Sequence, residues 1–235
     1  MKLIAPNLWQ FRFPWPNAFN AYYIQTPTES IVVDASIRWD WPFMRRQLRG
    51  KPLSAVVLTH AHPDHQGCAA RICRTFGVPL VCHHADADSA EGKAPLVRHN
   101  ALWEIIGNIA WAGPRWPVAR RLTEGDTLAG FTVYSLPGHT AGQIVLLRHA
   151  DRVAIVGDVI NTNDYLTGLF SIVREPPRTF SIYPAQNRHS IRRLLELNPS
   201  VICPGHGPPL RDIRRLERLV KRLKQDPQRL VQAIS

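Results

Sequence analysis

Thr59-His60-Ala61-His62-Pro63-Asp64-His65-Gln66-Gly67 places three imidazoles and one carboxylate within the six residues from His60 to His65. The run before it, Ala55-Val56-Val57-Leu58, is short, apolar and partly β-branched, and reads as a buried strand. The run after it, Cys68 to Phe76, reads as a helix. The cluster therefore leaves a strand on a turn, where side chains can point into a cleft from a rigid frame. Pro63 turns His62 away from helical geometry. His60 and His62 are then extended, and alternate residues of an extended chain face the same way. Asp64 and His65 fall at the helix start. One segment can thus serve two metal ions, His60 and His62 for one, Asp64 and His65 for the other. Imidazole and carboxylate donors suit zinc, and also iron or manganese. The competing explanation is a run of surface histidines beside a solvated aspartate, which leaves four ligand-type residues at one strand end without a cause.

Two ions need further ligands, and three places offer them. Val133 to Thr140 puts His139 after a strand and a Pro-Gly turn. Val153 to Asp158 ends an apolar strand on Gly157 and Asp158. Val201 to Gly207 repeats strand, Pro-Gly and histidine with His206. Each of the three follows a strand and a glycine, which lets the backbone turn sharply.

On these motifs the chain resembles the metallo-β-lactamase fold superfamily, from its first strand to His206. The resemblance implies a four-layer αββα sandwich, an α/β fold of two mixed sheets flanked by helices. It implies that His60, His62 and His139 hold a first metal, that Asp64, His65 and His206 hold a second, and that Asp158 bridges them. The cofactors so implied are two divalent metal ions, zinc being the first expectation. The chemistry implied is hydrolysis by a metal-bound hydroxide, with Asp64 as the catalytic carboxylate that holds it or relays its proton. Two divalent ions set against Asp64, Asp158 and one hydroxide leave the centre net positive, which favours an anionic substrate group.

The fold supports many chemistries. A true β-lactamase is disfavoured, because those branches lack a bridging aspartate. The glyoxalase II branch shares the ligand set and adds a helical domain that grips glutathione; with residues 207–235 after the last ligand, that grip is expected to be missing or replaced here. An ester, thioester or lactone is the expected substrate class. A phosphodiesterase or nuclease and a mononuclear iron persulfide dioxygenase are the alternatives.

Outward from the ligands, the 235 residues, 45% of them hydrophobic, suit one domain without linker or repeat. No apolar run approaches the ~20 residues of a membrane span, and no signal core is visible, so a cytoplasmic protein is expected. Cys68, Cys73, Cys82 and Cys203 show no disulfide spacing and read as buried thiols. Asp34 ends the strand Ile31-Val32-Val33, where the superfamily commonly has an aspartate close to the metals; its expected role is to orient a ligand. Thr140 is expected to support His139 or its turn. Trp15 and Phe19, in an aromatic early loop, are candidate pocket residues.

Residues 86–121 form the least regular part, with an apolar helix over Ala101 to Trp111. That insert is read either as a lid or partner surface, with Trp103 at the pocket, or as plain packing. After Asp158, Tyr165 is the tyrosine nearest to one that assists catalysis in the lactonase branch. A helix over Ser190 to Leu197 precedes the last ligand strand. The tail keeps Ile213, Leu216, Leu219, Val220 and Leu223 at helical spacing and carries arginine on its other faces. Together with the whole chain's net charge of +11, the tail raises a polyanion as partner. The arginines are spread along the chain, however, so a small-molecule substrate is the expected partner rather than nucleic acid.

Overall fold

The computed structural model describes residues 1–95, 109–163 and 171–225. Successive residues of its strands face opposite sides of their sheet, and that alternation builds the layers. Tyr22, Ile24, Ile31, Val33, Val57 and Val81 point to one side of the first sheet; Tyr23, Val32, Val56, Leu80 and Cys82 point to the other. In the second sheet Val133, Ile144, Leu146, Val153, Ile155 and Cys203 face the first, while Val145, Leu147, Ala154, Val156 and Ile202 face outward.

The first sheet has seven strands in sequence order. They are β1 (Lys2–Ala5), β2 (Leu8–Gln10), β3 (Tyr22–Gln25), β4 (Ser30–Val33), β5 (Ala55–Val57), β6 (Leu80–His83) and β7 (Val118–Leu122). Pairing is antiparallel up to β4 and parallel from β4 to β7. The second sheet has five strands, β8 (Thr127–Leu128), β9 (Phe131–Ser135), β10 (Ile144–Arg148), β11 (Val153–Gly157) and β12 (Val201–Pro204). It is antiparallel except where β12 joins β11 in parallel.

Strands buried on both faces need cover, which parallel crossovers supply. Helices α1 (Trp41–Leu48), α3 (Ala69–Phe76) and α4 (His84–Ala90) put Met44, Leu48, Ile72, Cys73 and Ala87 against the first sheet. A short helix α2 (Pro63–Gln66) precedes α3. Helices α5 (Pro184–Glu196) and α6 (Arg214–Gln225) put Ile191, Leu194, Leu216, Leu219 and Val220 against the second. The result is the expected αββα sandwich of two mixed sheets.

The expected insert at 86–121 begins inside α4 and ends inside β7, so both its ends belong to the framework. Trp103 and most of the helix expected around it lie outside the described residues, as does Tyr165. Helix α5 starts at Pro184, ahead of the expected Ser190. The four cysteines are buried and free, and burial pushes each thiol up to about 12. Among the described residues no helix is long and apolar enough to cross a membrane.

Leu146 is wholly buried between the sheets. Leu146→Ala is expected to lower the unfolding free energy by about 2–5 kcal/mol. Leu3→Ala, at a side chain 61% exposed, should change it by less than about 0.5 kcal/mol. Urea unfolding of the two variants checks the contrast.

Candidate metal centre

Parallel neighbours end on the same side of a sheet, and ligands gather beyond their carboxyl ends. The first sheet delivers Asp34 after β4 and the histidine cluster after β5. The second delivers His139 after β9, Asp158 directly after β11 and His206 after β12. His62 is extended, with φ −68° and ψ 151°, and Pro63 opens α2, so Asp64 and His65 enter from a helical turn.

The seven residues converge. Donor atoms of His60, His62 and His139 lie within 4.8 Å of one another, and so do those of Asp64, His65 and His206. Asp158 stands between the two groups: Oδ2 is 3.2 Å from His206 Nε2 and 3.4 Å from His139 Nε2, and Oδ1 is 3.5 Å from His65 Nε2. Asp64 Oδ2 is 3.3 Å from His206 Nε2.

Four of the rings are held by one nitrogen and offer the other. His65 Nδ1 donates to Asp34 Oδ2 at 2.9 Å. Thr59 Oγ1 donates to the same carboxylate at 2.8 Å and accepts from His60 Nδ1 at 3.1 Å. Asp34 therefore orients a histidine in each group. His139 Nδ1 meets Ser181 Oγ at 3.2 Å, and His206 Nδ1 donates to the Ala18 carbonyl. His62 instead turns Nδ1 inward, 3.1 Å from His60 Nε2. This is how proteins fix the tautomer and orientation of ligating imidazoles. His139 Nε2 and Asp158 Oδ1 are buried without a hydrogen-bond partner, a costly state that a cation at the centre relieves. The donor set thus fits a pair of divalent ions.

Electrostatics separates the rings. Burial pulls His60 well below the usual imidazole value, and neighbouring imidazoles add to this. Burial and His62 bring His139 down to about 3. Burial also works against charge on His65, but the carboxylates of Asp34 and Asp158 overcome it and hold that pKa at about 9. His206 is raised likewise by Asp158 and Asp64. Burial pushes both Asp64 and Asp158 up, yet the imidazoles around them, His206 above all, leave each well below the usual carboxylate range.

Glycines make room for this crowding. A Cβ on Gly205 would lie 2.2 Å from Asp158 Oδ1 and 2.5 Å from His65 Cε1. One on Gly138, whose φ is +134°, would lie 2.2 Å from the Asn187 nitrogen. Asp34 itself adopts φ +59°, a conformation uncommon outside glycine and frequent at functional sites.

Around the mouth, Phe19 sets its ring edge-on to His206 at 5.7 Å and beside Trp111 at 5.8 Å. The ring contacts run through Phe19; Trp15 is 70% exposed on the same loop. Thr140 turns its hydroxyl to Asp86 at 2.7 Å. Sequence reasoning missed Asp86, Ser181 and Trp111, none of which carries a local signal of its partner. His83 bonds Ser135 through Nε2 and lies outside both donor groups.

The profile of the metallo-beta-lactamase superfamily matches residues 15–206. The chain belongs to this superfamily. Among the proteins it is similar to, "Probable metallo-hydrolase YflN" of Bacillus subtilis is 26% identical over 214 residues, 81% of each chain. "Hydroxyacylglutathione hydrolase GloC" of Haemophilus influenzae is 30% identical over 166 residues, 66% of this chain and 69% of that one. A crystal structure of TTHA1623 in a di-iron-bound form is similar with a TM-score of 0.68 and 28% identity, covering 89% of this chain and 96% of that one.

Two predictions follow from the geometry. Gly205→Ala should weaken metal retention by at least about tenfold with the fold intact, read by metal analysis and circular dichroism. In the metal-free protein the raised His65 pKa stabilises the fold below about pH 6.5, and this contribution is lost as pH rises through about 9. A metal ion must displace that proton, so zinc binding at pH 7 should release protons, seen as calorimetric enthalpies that depend on buffer ionisation.

Proposed function

We propose that the protein is a dinuclear metal-dependent hydrolase of a small ester, thioester or lactone, with zinc as the resident metal. One observation carries the reading: two donor groups, each of three side chains, share Asp158 between them, and the outer nitrogens of four of their rings are occupied by protein. Divalent ions held there supply Lewis acidity and bring the pKa of water down to about 7.

The chain's own residues do the rest. His60, His62 and His139 would hold one ion, Asp64, His65 and His206 the other, and Asp158 both. Asp64, in the first turn of a short helix and facing His206, would orient water and carry its proton away. Phe19 and Trp111 give the mouth an apolar wall beside His206, suited to the acyl or leaving-group portion of a substrate. The relative named as a hydroxyacylglutathione hydrolase supports an acyl substrate. The di-iron form of a structural relative makes iron the competing metal. The exposed arginines of α6 form the solvated side of a helix whose apolar face is packed, which favours a small-molecule substrate over a polyanion.

The test is metal analysis of the purified protein combined with a panel of aryl ester, thioester, lactone and bis-nitrophenyl phosphate substrates. Two equivalents of zinc, with acyl substrates turned over faster than the phosphodiester, are expected. A single iron with oxygen uptake on a persulfide, or turnover of the phosphodiester alone, overturns the assignment. Asp158→Ala should lower occupancy of both ions and abolish hydrolysis; full metal content with an unchanged rate would refute the bridge.

A further inference from the structure

We propose that Asp86 is a positioning residue for the first donor group, locking the His60–His62 segment to the His139 loop so that the three imidazoles keep one geometry. The inference rests on the reading that those histidines share an ion. Asp86 sits in α4, beyond the carboxyl end of β6, next to the strand that delivers the histidine cluster. It is 2% exposed.

Its carboxylate accepts three hydrogen bonds from the two ligand loops. Oδ2 takes the Ala61 backbone N–H at 3.0 Å and the Thr140 hydroxyl at 2.7 Å; Oδ1 takes the Gly142 backbone N–H at 2.6 Å. Ala61 is the residue between His60 and His62. Its carbonyl in turn accepts from Gln66 Nε2 at 3.0 Å, so side chains pin both polar groups of that residue where no strand partner exists. Thr140 adjoins His139, and Gly142 lies three residues beyond it. One carboxylate thus spans the gap between the two sheets at the place where ligands from both must meet.

The fit is close. A Cβ on Gly142 would lie 2.7 Å from Asp86 Cγ and 2.7 Å from Oδ1, so the loop approaches as backbone only. No neutral isostere satisfies the arrangement. Asparagine offers one oxygen, and its amide would face either the Gly142 N–H or the Ala61 N–H, leaving a buried donor unpaired in both orientations. Such a loss loosens the relative placement of His139 against His60 and His62 rather than removing any ligand.

Zinc binding measured by competition with a chromophoric chelator tests this, alongside thermal unfolding of the metal-free proteins. Wild type should bind two equivalents; if it binds none, the metal-centre reading itself fails. Asp86→Asn should weaken one equivalent by about 10–100-fold, leave the other within about threefold, and keep the fold. On a His139→Ala background the same change should add little, because both act on one group. Leu194→Ala, in the outer core, should lower the unfolding temperature without altering either affinity. The proposal is overturned if Asp86→Asn binds both equivalents as wild type does, if its loss adds in full to that of His139→Ala, or if Leu194→Ala weakens the same equivalent equally.

Discussion

Five imidazoles and two carboxylates share one cleft, and four of the five rings place their outer nitrogen on a protein group. An imidazole that offers one nitrogen to a cation must place the other, and a buried ring needs a protein partner for it. Asp34, Thr59, Ser181 and the Ala18 carbonyl supply those places. This requirement reaches far into the fold. Asp34 can serve two rings only because β4 and β5 are adjacent and parallel, which sets Asp34 beside Thr59. Ser181 can serve His139 only because the turn before α5 packs on the Pro-Gly loop, where Ile182 and Tyr183 donate to the His139 and Gly138 carbonyls.

The same logic explains why the ligand loops are short of ordinary backbone partners yet well defined. Each leaves a strand at the point where pairing stops, and buried side chains take over the accounting. Asn20 donates to the carbonyls of Pro204 and Gly207 around His206, Tyr22 donates to Pro204 as well, and Asn187 reaches the Val159 carbonyl beyond Asp158. Gln143 donates to the Val156 carbonyl and accepts from the Asp158 nitrogen. These polar residues occupy positions where an apolar core would have been simpler. Their presence marks the end of each sheet that must carry chemistry rather than only stability.

The side chains that converge at the candidate centre, and the strands before them, were legible in the sequence because both signals are local. A strand with two buried faces reads as an apolar run, and a histidine after Pro-Gly reads as a residue on a sharp turn. Longer-range dependence was not legible. Asp86 sits 25 positions from Ala61 and 54 from Thr140, so nothing in its own neighbourhood announces its partners. Strand β7, Val-Ala-Arg-Arg-Leu, was missed for a different reason. It is an edge strand with three exposed residues in the middle, and two of these are the arginines that keep such an edge from pairing with another chain. Its register is set by β6, not by its own pattern. Phe19 was found on the early aromatic loop, whereas Trp111 was absorbed into an expected helix; only the contact between the two rings joins them at the mouth.

The metal-free arrangement has its own internal balance, and it bears on how the site assembles. His206 and His65, held in the charged form by Asp158, Asp64 and Asp34, stand as cations where a metal's charge would otherwise be. His60 and His139 are pushed the other way by burial and by their neighbours, and His139 Nε2 has no hydrogen-bond partner. One donor group is thus biased toward the neutral form that a metal requires, and the other toward the protonated form that a metal must displace. The two halves of a nearly symmetric donor set thus differ, because Asp34 and Asp158 outweigh burial at His65, and Asp158 and Asp64 at His206, whereas burial prevails at His60 and His139.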